Sequence, residues 1–371
     1  MHLSELSSQG FRNLSSTPVS FGEGVTLISG ENAQGKTNLL EAVALVCGQR
    51  SFRGASPAEM SRDGNAFSVC AQVRGRAGVE RISVAWSRSD GRSFERSGKA
   101  ATFREISSMA PAVFLGPEHR ELVAGSPVVR RRFLDRLVLG VRPAGGDDLA
   151  RYAAALRERN ALLARERRTR IAPGPGEMEA WTDELCVSGA AVRRHRRAAL
   201  EIWMTEFTRL AAETAGDYAD IRIAGSAADD SVESLRAECE RVAAVERRRG
   251  YSLAGPHRDD LRWTRRGAPL ASQASAGEIS RTVALAKLAE WRAVEKFGGE
   301  PPLFAADDFD AGLSEGWAEE FLERLPEGAS ILLTSAAPPS RFGRRIAAVL
   351  EMRDGHAGRN VSPRALRAVT A

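Results

Sequence analysis

The chain has 371 residues, enough for two or three domains, and its 43% hydrophobic content excludes wholesale disorder. Its 53 Lys and Arg against 48 Asp and Glu leave a net charge of +5, an excess that permits a polyanionic partner without demanding one. Cys47, Cys70, Cys186 and Cys239 form no CxxC pair, and His195 and His257 add no metal-ligand spacing, so no structural zinc site is expected. The start of the chain has no charged segment leading into an apolar one, and no run of about 18 apolar residues follows. A cytoplasmic protein with reduced thiols and no membrane span is expected.

In chain order, Val25–Ser29 is short, apolar and β-branched, and predicts a buried strand. It runs into Gly30-Glu31-Asn32-Ala33-Gln34-Gly35-Lys36-Thr37 and then into a helical stretch from Asn38 to Val46. The eight residues match GxxxxGK[ST] in the strand–turn–helix setting that motif requires. Its glycines let successive N–H groups turn toward one anion, and the helix adds its positive dipole end. Lys36 supplies a compact cation for the β- and γ-phosphates of ATP, and the Thr37 hydroxyl is suited to Mg²⁺. Two alternating segments, Phe67–Val73 and Arg81–Trp86, predict an antiparallel meander.

From about residue 130 to 249 the sequence turns rich in Ala, Arg, Glu and Leu at helical spacing. Long helices are predicted over Arg151–Arg168 and Glu177–Leu210, paired as an antiparallel hairpin about the Pro/Gly turn at 172–176. Arginine clusters punctuate this region at Arg130-Arg131-Arg132, at Arg165 to Arg170, around Arg193 and Arg194, and at Arg247 to Arg249. Singly each reads as a solvated helix face; together they suit a surface that binds phosphates without reading bases. Arg130, Arg131, Arg132, Arg193 and Arg194 are the candidate DNA contacts.

Strand character returns at Tyr251. Ser275, with Glu278 three positions on, has the capping-box pattern and opens a helix. The apolar run Leu303–Ala306 ends in Asp307-Asp308, where a carboxylate at a strand's C-terminal end meets a P-loop. Asp307 suits Mg²⁺, and Asp308 suits the orientation or deprotonation of an attacking water. A second buried strand is predicted over Ser330–Thr334. The expected architecture is α/β, an ATPase head built from both chain ends (1–117 and 251–371) with an inserted helical arm (118–250).

The order of P-loop, Ser-Ala-Gly-Glu helix tip and Asp-Asp strand resembles the ATP-binding-cassette branch of P-loop proteins. Within it the chain is similar to the RecF family over nearly its whole length. The residues that carry this are Phe11-Arg12-Asn13, the segment GENAQGKTNLL from Gly30 to Leu40, Ser51-Phe52-Arg53, Phe114-Leu115-Gly116-Pro117-Glu118, the run RRRFLD from Arg130, and GPHRDDL from Gly255 to Leu261. The resemblance implies ATP contacts from Arg12, Asn38 and Arg53 besides the P-loop. It also implies that Ser275, Ala276, Gly277 and Glu278 complete the nucleotide site of a second copy. ATP-dependent dimerisation, binding to duplex DNA and single/double-strand junctions at gaps and stalled forks, slow DNA-dependent hydrolysis, and RecO and RecR as partners follow from it too. The chain departs from the family at Asp310-Ala311-Gly312-Leu313-Ser314, where Ser314 replaces an Asp, and at Ala274, where Leu is common in the wider branch. Those changes keep open a diverged relative that acts as an ATP-gated DNA clamp or scaffold with little hydrolysis. A transporter ATPase would lack the helical arm and GPHRDDL, and a long coiled-coil chromosome ATPase would carry heptads that are absent here.

Overall fold

The computed structural model describes residues 1–75, 78–214, 219–225, 229–298, 301–311, 314–325, 329–337 and 346–358. The chain forms two units, Met1–Arg120 with Ser275–Ala371, and Glu121–Ala274. The first is an α/β head made from both chain ends; the second is the mainly helical insertion.

The head opens with β1 (His2–Gln9), β2 (Val25–Ser29) and α1 (Lys36–Val46). Strands β3 (Ala66–Gly75), β4 (Gly78–Ser87) and β5 (Gly91–Arg96) then form the expected antiparallel meander. With β1 and the two-residue strands Val19–Ser20 and Lys99–Ala100 they make a six-stranded sheet. Along β3, Phe67, Val69, Ala71 and Val73 are buried while their neighbours face outward, the alternation of a half-solvated sheet. The helix α1 is buried nearly all round because it packs against that sheet and against a second one. The second sheet receives β6 (Ala112–Leu115).

The insertion contains α2 (Pro127–Val141), α3 (Gly145–Thr169), α4 (Glu177–Ala212), β7 (Asp220–Ala224), α5 (Val232–Arg249) and β8 (Asp260–Arg265). Arg151–Glu184 at 2.9 Å and Arg165–Glu177 at 2.8 Å run in opposite senses along α3 and α4, so the two helices pair antiparallel. Arg170 (φ 61°) and Gly176 (φ 74°) take left-handed conformations at the two ends of the turn between them. At the other end Trp203 lies 5.0 Å from Phe207, 5.4 Å from Phe133 and 5.9 Å from Trp263, centroid to centroid, forming an aromatic core.

The boundaries differ from expectation. The sequence places them at 117/118 and 250/251, whereas the units divide at 120/121 and 274/275. The reason is β8, which pairs antiparallel with β7, so Tyr251–Ala274 belongs with the insertion. Residues 359–371, inside the expected C-terminal lobe, lie outside the described residues.

Buried ion pairs knit the insertion together. Arg193 is 6% exposed and donates to Asp259 Oδ2 at 2.9 Å, Asp259 Oδ1 at 2.7 Å and Glu238 Oε2 at 3.2 Å. Burial works against its charge, but the bonds and attraction to both acids outweigh it and raise its pKa. Arg130 forms a bidentate pair with Asp260, at 2.7 and 3.0 Å, and Arg131 donates to the Asp259 carbonyl at 3.0 Å. In the same motif, His257 Nδ1 accepts from Tyr152 Oη at 2.6 Å, and burial pushes the imidazole pKa down to about 4. The GPHRDDL and RRRFLD segments are therefore mutual structural partners. Removing one partner of a buried pair strands the other charges, so Arg193→Ala is expected to cost about 3–5 kcal/mol. Urea denaturation reads this directly, and a loss below about 1 kcal/mol would contradict the role.

The chain returns to the head with α6 (Ala276–Gly298), β9 (Leu303–Ala306), α7 (Glu315–Arg324), β10 (Ile331–Ser335) and β11 (Ile346–Arg353). Strands β11, β2, β10, β9 and β6 lie side by side, all parallel, with His356–Ala357 added antiparallel at the edge. Every residue of β9 and β10 is buried, as continuous apolar strands in a covered parallel sheet must be.

Candidate nucleotide site

The P-loop joins the end of β2 to α1, and its curl uses left-handed backbone at Gly30 (φ 148°), Ala33 (φ 67°) and Gly35 (φ 104°). A Cβ on Gly30 would sit 2.5 Å from the Met352 carbonyl of β11, so only glycine fits there. The turn after β11 braces the loop: Asp354 N–H donates to Gln34 Oε1 at 2.6 Å and Gly355 N–H to the Gln34 carbonyl at 3.0 Å. The first turn of α1 carries no acidic residue, so its N–H groups and positive dipole end are left for an outside anion. Lys36 is 5% exposed, and its Nζ donates to the Gly30 and Glu31 carbonyls at 2.7 and 2.8 Å. Glu31, Asn32 and Ala33 are exposed at the loop's crest.

Strand β10 lies between β2 and β9, which brings its end to both the P-loop and Asp307. Thr37 Oγ1 donates to Asp307 Oδ1 at 3.0 Å, and Thr334 Oγ1 donates to the same oxygen at 2.7 Å. Asp307 is 6% exposed; burial raises its pKa, opposed by the two hydroxyls. A buried carboxylate beside a threonine hydroxyl at the mouth of a phosphate loop is a donor set suited to a hard divalent cation such as Mg²⁺. Asp308 turns into left-handed backbone (φ 43°), and its N–H donates to Thr334 Oγ1 at 2.8 Å. One buried hydroxyl thus ties both carboxylate residues. Thr334 is absent from the residues singled out by sequence, although its position at the end of a buried strand was visible.

Asn38 sits at the start of α1 and joins two neighbours, donating to Asn13 Oδ1 at 2.8 Å and accepting from Arg53 Nη1 at 3.1 Å. Arg53 is exposed there. Arg12, an expected ATP contact, is hydrogen-bonded within the head. Its Nε and Nη2 donate to Glu41 at 2.9 and 3.1 Å, and its Nη1 to the Glu59 carbonyl at 2.8 Å. Glu41 is fully buried, and the arginine supplies the positive charge beside it.

Ser275 and Glu278 form the predicted capping box, with Ser275 N–H to Glu278 Oε2 at 2.8 Å and Glu278 N–H to Ser275 Oγ at 3.3 Å. Ser275 and Ala276 are exposed, so the tip of α6, with Gly277, faces outward from the head. Ser314 caps α7 by position, without a side-chain cap bond, and Gly312 and Leu313 lie outside the described residues. Among the arginines taken as DNA contacts, Arg130 and Arg193 are corrected to buried structural pairs and Arg131 is half-buried on a carbonyl, whereas Arg132 and Arg194 are exposed. No described helix is long and apolar enough to cross a membrane.

A P-loop, a buried acidic strand end and an exposed, capped helix tip, set in a head made from both chain ends, define an ABC-type P-loop ATPase. Residues 5–110 match the family model described as "AAA domain". The chain is 32% identical over 356 residues to the "DNA replication and repair protein RecF" of Frankia alni, covering 91% of this chain and 93% of that protein. It is 30% identical over 342 residues to the protein of the same name from Rippkaea orientalis, covering 87% and 90%. The solved "Structure of the recombination mediator protein RecF-ATP in RecFOR pathway" superposes with a TM-score of 0.89 at 26% identity, covering 97% of this chain and 98% of that one. An Smc head domain from Pyrococcus furiosus shares the fold, with a TM-score of 0.57 at 16% identity, covering 100% and 98%. The chain belongs to the RecF family.

Proposed function

We propose that this protein is an ATP-dependent DNA-binding repair protein that acts at single-strand gaps and stalled forks. The observation that carries the proposal is the exposed, capped tip at Ser275–Glu278 on the same head as the P-loop and the Thr37–Asp307–Thr334 cluster. Gly30 to Asn38, with Arg53, take ATP, and Ser275 and Gly277 complete the site of a second copy through a hydroxyl, N–H groups and a helix dipole. Thr37 and Asp307 would hold Mg²⁺, which supplies Lewis-acid polarisation of the phosphoryl oxygens. Lys36 orients the phosphates, and Asp308 positions water and accepts its proton. Two heads close around duplex DNA beside a gap, and slow hydrolysis releases them. The proposed partners are the RecO and RecR mediator proteins, in line with the pathway named for the ATP-bound relative, and the proposed location is the cytoplasm.

Light scattering with and without ATP, repeated with gapped and blunt duplex DNA, tests this. A doubling of mass on ATP addition is expected, and a protein that stays monomeric with saturating ATP would overturn the clamp. Within this scheme Thr334 is a positioning residue. Thr334→Val is expected to lower kcat by about 10- to 100-fold, the loss of one buried hydrogen bond to a charged group and one to Asp308, with KM within about three-fold. Thr334→Ser keeps the hydroxyl and is expected to restore turnover; equal loss in both variants would mean that packing, not the hydroxyl, matters.

A further inference from the structure

Helices α3 and α5 finish side by side at one end of the insertion, since Arg167 Nη1 donates to the Arg249 carbonyl at 3.1 Å and a Cβ on Gly250 would lie 2.9 Å from Arg167 Cδ. Seven exposed arginines gather there: Arg165, Arg167, Arg168 and Arg170 from α3 and its cap, and the run Arg247 to Arg249 from α5. The bland account is that cations complement two negative helix ends, each worth about half a charge. Glu177 pairs with Arg165 at 2.8 Å and Glu166 with Arg247 at 4.0 Å. Two carboxylates and two helix ends together offset about three of the seven charges, so about four remain. The side chains of Arg168, Arg170, Arg248 and Arg249 make no ion pair or hydrogen bond among the described residues.

We propose that this end of the insertion is a contact for the phosphate backbone of duplex DNA. The inference rests on the reading of the protein as a DNA binder and gives that binding a place. Guanidinium groups match phosphate oxygens with paired N–H donors, and arginines on two adjoining helix ends give a fixed array for successive phosphates. Tyr251, exposed beside this end, has Arg258 over one face of its ring at 5.4 Å, and the two clustered runs, 165–170 and 247–249, contain no aromatic residue on which unpaired bases could stack. Backbone contact without base readout follows, with duplex favoured over single strand.

The test uses the full chain with ATP and fluorescein-labelled duplexes of unrelated sequence, a labelled single strand and a labelled acidic peptide, titrated by anisotropy between about 50 and 200 mM salt. Two variants, R247Q/R248Q/R249Q and R168Q/R170Q, remove charge from each helix end separately; Gln is a good helix former at 168 and 247–249, and at 170, past the helix end, it replaces one unbranched side chain by another. Both are expected to weaken duplex binding by about 10-fold or more, equally for all sequences. Each is also expected to flatten the slope of log K against log salt by about one for every phosphate that is no longer neutralised. ATP binding and Tm stay unchanged. Wild-type affinity and slope in both variants would overturn the proposal, as would a weakening confined to single-stranded DNA or to an acidic peptide. A wild-type protein that binds no DNA under any condition would instead sink the broader reading of function.

Discussion

Lys36→Ala is expected to abolish ATP-dependent dimerisation and to weaken ATP binding by about 100-fold or more. Two effects add. The substitution removes the one cation in the eight-residue loop, the group placed to meet phosphates that also face the N–H groups of α1. It also removes the donor that now holds the Gly30 and Glu31 carbonyls at 2.7 and 2.8 Å, so the loop loses an internal tie. Lys36→Arg is not a conservative rescue, because a planar fork cannot replace a compact ammonium at a 5% exposed position. Equilibrium binding of a fluorescent ATP analogue gives the affinity and light scattering the assembly. A Lys36→Ala protein that still doubles in mass with ATP would break the link between the loop and the dimer.

Asp308→Asn is expected to leave binding intact and reduce turnover by about 100-fold, in the range for loss of a general base. The backbone makes this substitution clean. Position 308 holds a left-handed conformation (φ 43°), which Asn tolerates nearly as well as Asp, and its N–H still reaches Thr334 Oγ1. Only the carboxylate charge is lost. The closed dimer is then expected to persist after ATP addition, which size exclusion reads as a long-lived doubled mass. Normal hydrolysis by this variant would assign the base elsewhere.

What could be read in advance was what is contiguous in the chain. The P-loop, the capping box at Ser275–Glu278 and the apolar run into Asp307 each carry their context within a dozen residues, and the structure keeps all three. Pairings over long separations were not legible. The pairing of Arg12 with Glu41, 29 residues on, is one of them. Arg193 and Arg130 read as surface charge because Asp259 and Asp260 lie 66 and 130 residues away. The short strand β7, set between long helices, carries no periodic signal, so the pairing that ties 260–264 to the insertion is not visible in sequence. The exposed arginines at 165–170 and 247–249 were visible as composition, but only folding brings the two runs together.

The placement of β2 between β10 and β11 bears on how the protein is made. On the ribosome, Val25–Ser29 emerges with both edges bare, and its two neighbours, Ile331–Ser335 and Ile346–Arg353, are translated only after the whole insertion. The insertion, which supplies both partners of its Arg130 and Arg193 pairs, can fold in the interval, but the phosphate loop has no brace until Asp354 and Gly355 arrive. Nascent chains halted short of that point carry an open strand and an unbraced phosphate loop, which makes them targets for chaperones and proteases.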